Sequence, residues 1–129
     1  MTHAVILVVD DDDDVRAAAA EMLRHAGHDV VEAASGRDAL DRLDRKDPPL
    51  DLMIVDFVMP DMNGIEAARL ARLKRPDLPI MYMSGFGNSA VLAAQTDADH
   101  VLQKPFRPSD MAVKVQEVLR SAFGRLEKL

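Results

Sequence analysis

The chain has 129 residues, about the length of one domain, and its 48% hydrophobic and 29% charged content exclude a disordered or collagen-like polymer. Sixteen basic against 22 acidic side chains leave a net charge of −6, which argues against nucleic acid or an anionic membrane as the main partner. The absence of cysteine excludes a disulfide framework, a thiolate zinc site and a cysteine nucleophile, and the absence of tryptophan leaves little for base stacking. Residues 4–9 form the longest apolar run, far too short to span a bilayer, and no signal peptide is expected ahead of it. A single cytoplasmic domain over 1–129 is expected, with its core over about 4–122.

In chain order, residues 4–9 are a continuous β-branched run that suits a strand covered on both faces. Val15, Ala18, Ala19, Met22, Leu23 and Ala26 then recur at helical spacing, with Gly27 placed to end the helix. Residues 30–33 read as a short strand. Ala39, Leu40 and Leu43 mark a helix that stops before Pro48 and Pro49. Residues 50–55 read as a buried strand that Asp51 enters early, and Ile65, Ala68, Ala71 and Leu73 as a helix ending at Lys74 and Arg75. Residues 79–83 are a further strand, 88–96 an Ala-rich and weakly patterned helix, and 101–103 a brief last strand. From 108 to 123, Met111, Val115, Val118, Leu119 and Ala122 share one helical face, with Pro108 and Ser109 as start signals.

Strands alternating with helices predict an α/β fold, a doubly wound parallel sheet with helices on both faces. Ligands of such sheets sit beyond the carboxyl ends of the strands. The first strand runs into Asp10, Asp11, Asp12, Asp13 and Asp14, the third into Asp56, the fourth into Ser84 and the fifth into Lys104 and Pro105. Taken singly, each has a plain structural explanation. Aspartates cap and solvate helix starts, a serine before glycine forms turns, and a lysine usually faces water. Together they place carboxylates, a hydroxyl and an ammonium in one crevice. Clustered carboxylates repel unless a cation sits among them, and an all-oxygen set suits Mg²⁺. An aspartate beside such a metal is a plausible nucleophile towards phosphorus, with the hydroxyl and ammonium on the phosphoryl oxygens.

Four ordered segments carry a resemblance: Val8-Val9-Asp10-Asp11-Asp12, the stretch 54–64 running from Ile54-Val55-Asp56 to Met59-Pro60 and Gly64, Met83-Ser84-Gly85, and Lys104-Pro105-Phe106. They resemble the receiver domain of bacterial two-component response regulators, of the chemotaxis-regulator type, and the resemblance runs from about residue 5 to 119. It implies a (βα)5 flavodoxin-like three-layer sandwich with strand order 2-1-3-4-5. It implies Asp56 as the phosphoacceptor, served by a sensor histidine kinase or a histidine phosphotransfer protein. Asp10, Asp11, Asp56 and the backbone carbonyl of Val58 would hold Mg²⁺, for which Mn²⁺ could substitute, with Asp10 acting mainly through water. Ser84 resembles the switch hydroxyl and Lys104 the phosphate-pairing lysine, and the Lys104-Pro105 bond is expected to be cis. Gly64 fits a loop where a Cβ would intrude.

The resemblance places kinase docking near the helix over 15–26, and output on the face formed by the 88–96 helix, the strand through Val101 and the 109–123 helix. Val101 stands where many receivers carry an inward-turning Tyr or Phe, which shifts the switch towards the loop over 84–88. Such a chain is not an enzyme on another substrate; it promotes only its own phosphorylation and dephosphorylation, as a monomer or weak homodimer without direct nucleic-acid or membrane contact. Val58 and Phe86, two residues beyond Asp56 and Ser84, would shield the phosphoryl group from water. Two rivals are a haloacid-dehalogenase-type phosphatase, with Asp11 as nucleophile and Asp97 and Asp99 as late acids, and a receiver-like binding module that is not phosphorylated. The first leaves Asp56 unexplained; the second leaves the complete acidic set idle. His3, His25, His28 and His100 are scattered and read as surface residues.

Overall fold

Residues 3–46, 48–85 and 100–127 are described by a computed structural model of the chain, with side chains described up to residue 122. The strands are β1 (Val5–Val9), β2 (Asp29–Ala33), β3 (Leu52–Asp56), β4 (Ile80–Ser84) and β5 (Val101–Gln103). The described helices are α1 (Asp13–His25), α2 (Gly36–Asp44), α3 (Gly64–Lys74) and α4 (Pro108–Glu127). All strand pairs are parallel, in the order β2-β1-β3-β4-β5, as expected for a flavodoxin-like sheet. The expected helix over 88–96 lies outside the described residues.

The continuous apolar runs have a simple cause: the central strands are covered on both faces. In β1, Leu7 and Val9 point to the side of α2 and α3, where they meet Ala39, Leu43, Ala67, Ala68 and Ala71. Ile6 and Val8 point the other way, to Ala19 and Leu23 of α1 and Met111, Val115, Val118 and Leu119 of α4. The side-chain period of two is present but invisible in hydropathy, because neither face meets water. The small residues on α3 let that helix lie close to the sheet. Asp51 falls just before β3, where its carboxylate accepts the Val5 N–H at 2.9 Å and its own N–H donates to the Val5 carbonyl at 2.8 Å.

Helix ends follow the expected chemistry. Asp12 caps α1, accepting from the N–H groups of Asp14 at 3.0 Å and Val15 at 3.2 Å, and Asp13 and Asp14 fill the acidic first turn. Gly27, at φ +96°, takes the left-handed conformation that ends α1. Two helical residues differ from the pattern. Ala18 faces solvent, and Leu73, expected on the buried face of α3, is 72% exposed, because at about 100° per residue it falls opposite the buried face of Ala67, Ala68 and Ala71.

His28 corrects a further expectation, because it is buried, at 4% exposure. Its Nδ1 accepts the Ala4 N–H at 3.1 Å, so the neutral ring carries its proton on Nε2, which has no hydrogen-bond partner among the described residues. Burial, with a lesser push from His3, lowers its pKa below 6.5. As pH falls below 6.5, the unfolded chain takes up this proton before the folded one does. The stability contributed is therefore full above that pH and declines as pH falls towards the folded pKa. His28→Asn keeps an acceptor for Ala4 but cannot titrate. Urea midpoints at pH 7.5, 6 and 5 are expected to fall less steeply for the variant than for the wild type; parallel slopes would refute this assignment.

Candidate functional site

Parallel register brings the chemistry to one edge. Val9 lies beside Val55, Asp56 beside Met83 and Ser84 beside Gln103, so Asp10, Asp56, Ser84 and Lys104 emerge together at the carboxyl ends of four strands. Asp10 and Ser84 are fully buried and Asp56 is 6% exposed, whereas Asp11 is exposed. Carboxylate oxygens of Asp10, Asp11 and Asp56 lie within 4.8 Å of one another. The Lys104 ammonium reaches in from β5, 2.9 Å from Asp56 Oδ1 and 3.1 Å from Asp10 Oδ2. The Ser84 hydroxyl donates to the Gly85 carbonyl at 3.2 Å. The Lys104-Pro105 bond is cis, and the Lys104 N–H donates to the Ser84 carbonyl at 2.7 Å. Val58 is 59% exposed at the rim, while Val101 is half-buried against the core on the α2 and α3 side. Phe86, Asp97 and Asp99 lie outside the described residues.

The loop after Asp56 is held tightly. Gly64 N–H donates to the Phe57 carbonyl at 2.8 Å, and a Cβ on Gly64 would stand 2.5 Å from the Asp56 carbonyl oxygen, so the chain returns too close for any side chain there. Met59 is buried in the core, and Asn63 caps α3 through the Glu66 N–H at 2.9 Å.

Two residues that the sequence did not single out complete the frame. Asp61 accepts from the Gly36 N–H at 3.4 Å and the Arg37 N–H at 3.1 Å, joining this loop to the start of α2. Burial opposes its charge, but these N–H groups win and hold its pKa below the usual carboxylate range. Arg16 reaches across the β1–α1 turn to the Asp10 carbonyl at 2.7 Å. Neither partnership leaves a local sequence signal, since each links distant positions or ends on a backbone atom.

The response regulator receiver domain family matches residues 6–116 of this chain. The chain belongs to that family. Among curated proteins, this receiver chain is 38% identical over 105 residues to the response regulator receiver protein CpdR of Brucella abortus, covering 78% of the chain and 83% of CpdR. It is 35% identical over 119 residues to the sensor kinase CckA of the same organism, covering 90% of the chain but 12% of the kinase. Of the solved structures, the receiver domain of the hybrid histidine kinase CckA matches with a TM-score of 0.74 and 31% identity, covering 89% of this chain and 98% of that one. NtrX from Brucella abortus matches with a TM-score of 0.88 and 28% identity, covering 98% of this chain and 29% of that one. Several relatives are thus far longer than the matched region.

The donor set of this receiver site fits a divalent cation. Three carboxylates and one ammonium leave a formal charge of −2, and all the acidic donors are oxygens, the chemistry that Mg²⁺ takes. Electrostatics agrees. Burial chiefly raises the Asp56 pKa; the Lys104 hydrogen bond opposes it, and Asp10 and Asp11 add to the rise. Burial works to lower Lys104, but its bonds to Asp56 and Asp10 outweigh this and hold it above the usual lysine range. A raised carboxylate pKa means that the ionised form costs stability at neutral pH. Asp56→Asn removes that cost while keeping the shape. In EDTA at pH 7 its melting temperature is expected to rise by a few degrees, since about 1 kcal/mol moves a domain of this size by roughly 4 °C; a fall measured by calorimetry would contradict the electrostatics described.

Proposed function

We propose that this receiver chain is a phosphorylation-operated switch in two-component signalling, taking a phosphoryl group from a phosphohistidine donor onto Asp56 in a Mg²⁺-dependent reaction. The observation that supports it most is the buried Asp56 carboxylate, within reach of Lys104 and two further carboxylates, in a chain of the receiver family. Asp10, Asp11, Asp56 and the Val58 carbonyl would hold the cation. When bound, Mg²⁺ supplies charge neutralisation between the carboxylates and the incoming phosphoryl oxygens.

The remaining chemistry falls to the chain's own residues. An Asp56 oxygen attacks phosphorus as the N–P bond of the donor breaks; the imidazole leaves with the bonding pair, and an acyl phosphate forms. Lys104 exchanges part of its carboxylate pairing for a phosphoryl oxygen, and the Ser84 hydroxyl, at the end of the adjacent strand, donates to another. Water later cleaves the acyl phosphate, so the domain resets itself. Exposed Val58, two residues beyond Asp56, limits the access of that water. The two phosphorylation states differ in preference between two arrangements by a few kcal/mol, as ligand-driven switches do.

The donor, a sensor kinase or histidine phosphotransfer protein, docks beside α1, next to the acidic turn. The response is delivered to a downstream protein on the face that includes β5 and α4, with Val101 and Ser84 as the switch positions. Nucleic acid is not contacted directly. No helix among the described residues is long and apolar enough to cross a membrane, and a cytoplasmic setting suits a histidine-kinase partner. Radiolabel from a phosphohistidine donor or acetyl phosphate with Mg²⁺ is expected to enter the wild type and to be absent from Asp56→Asn. Label that survives in Asp56→Asn but is lost in Asp11→Asn would instead support a dehalogenase-type phosphatase, and none in either protein would leave a binding module.

A further inference from the structure

We propose that Arg16 is a positioning residue for the acidic pair, holding the peptide between Asp10 and Asp11 so that both carboxylates face the cation. The inference rests on the assignment of that cation site made above. Arg16 lies in the first turn of α1 with its side chain 15% exposed. Its guanidinium meets acceptors from three parts of the chain. Nη1 donates to the Asp10 carbonyl at 2.7 Å, Nη2 donates to Asp13 Oδ1 at 2.7 Å, and Nε lies 3.4 Å from Glu32 Oε1 in β2. Glu32 is anchored in turn by Arg24, at 3.5 Å. A planar fork suits such divergent recognition, and a lysine could not reproduce it.

Every polar atom of Asp10 is thereby engaged. Its N–H donates to the Ala33 carbonyl at 3.2 Å, Oδ1 accepts the Asp12 N–H at 2.9 Å, and Oδ2 meets Lys104 at 3.1 Å. The carbonyl held by Arg16 belongs to the same rigid peptide plane as the Asp11 nitrogen. Fixing that oxygen therefore fixes the direction in which Asp11 leaves the strand. Asp11 is exposed, so packing does little to place it. The arrangement carries an apparent contradiction, because a cation beside a cation site repels the metal. Asp13 and Glu32 neutralise Arg16 and reduce that repulsion, leaving orientation as its main effect.

The two effects have opposite signs, and this makes the test decisive. Mg²⁺ would be titrated into the full chain while backbone amide shifts are followed by NMR, for the wild type, Arg16→Met and Arg16→Lys, with melting curves in EDTA. Positioning predicts that both variants bind Mg²⁺ about tenfold more weakly, the usual scale for residues that orient metal ligands. Tighter Mg²⁺ binding by Arg16→Met, with Arg16→Lys like the wild type, would mean that charge alone matters and overturn the proposal. Unchanged affinity with a lowered melting temperature would reduce Arg16 to a brace, and overturn it too. Should Arg16→Met fail to fold, Arg16→Lys alone carries the test, since wild-type affinity there refutes positioning. If the wild type itself binds no Mg²⁺, the cation site fails, and this inference with it.

Discussion

Lys104 stands 2.9 Å from Asp56 and 3.1 Å from Asp10, and this bridge is what lets two buried carboxylates coexist at one end of the sheet. Ionised groups taken out of water cost several kcal/mol each unless they are paired and hydrogen-bonded. One ammonium cannot neutralise three carboxylates, so the pocket stays short of positive charge. The deficit appears in the raised pKa of Asp56, whose burial and acidic neighbours outweigh its lysine. A fold selected for stability alone would place an apolar residue there. The unbalanced site is therefore chemistry maintained against stability, and its missing positive charge is what a divalent cation would supply.

The sheet makes that imbalance tolerable. Ile6, Leu7, Val8 and Val9 of β1 are wholly buried, as are Leu52, Met53, Ile54 and Val55 of β3, so the two strands that deliver Asp10 and Asp56 are gripped on both faces. Each such side chain contributes roughly 1.5–3 kcal/mol through burial, which is ample to hold repelling groups in place at the strand ends. Parallel pairing does the rest, because it puts successive carboxyl ends on one side with no hairpin between them. Rigidity of the strands is thus converted into proximity of the side chains.

Much of this is legible in the amino-acid sequence alone. A carboxylate that directly follows a run of buried β-branched residues has only the sheet edge to occupy, which is why Asp10 and Asp56 could be placed from the sequence. The grouping of Ser84 and Lys104 with them followed from the same logic applied to β4 and β5. What escaped is equally physical. His28 looked like a surface residue because its burial is set by the Ala4 N–H, 24 positions away. Leu73 follows Ala71 by two residues, which at about 100° per residue puts it on the opposite side of α3, and Ala18 is too small for its hydropathy to specify a face. Asp61 accepts from backbone N–H groups, and the bond by which Arg16 reaches Asp10 ends on a carbonyl; backbone atoms are present at every position, so no spacing announces these contacts.

The distribution of restraints also indicates the direction in which a change at Asp56 travels. On one side of the pocket, the loop over 57–63 is pinned by Met59 in the core, by Asp61 at the start of α2 and by the Gly64 contact with the Asp56 carbonyl. Asp10 is pinned as firmly on the β1 side. Lys104 is different. Its ammonium joins the two acidic strands, yet its main chain belongs to the short strand β5 and bonds to Ser84 at the end of β4. A phosphoryl group on Asp56 would compete for that ammonium, while the pinned loops could give little ground. The displacement would therefore be taken up through Lys104 by the ends of β4 and β5, which are the strands beside the proposed output face. Coupling of this kind needs a two-state element that both sites bias, and a lysine with partners in both halves of the sheet is placed to be one.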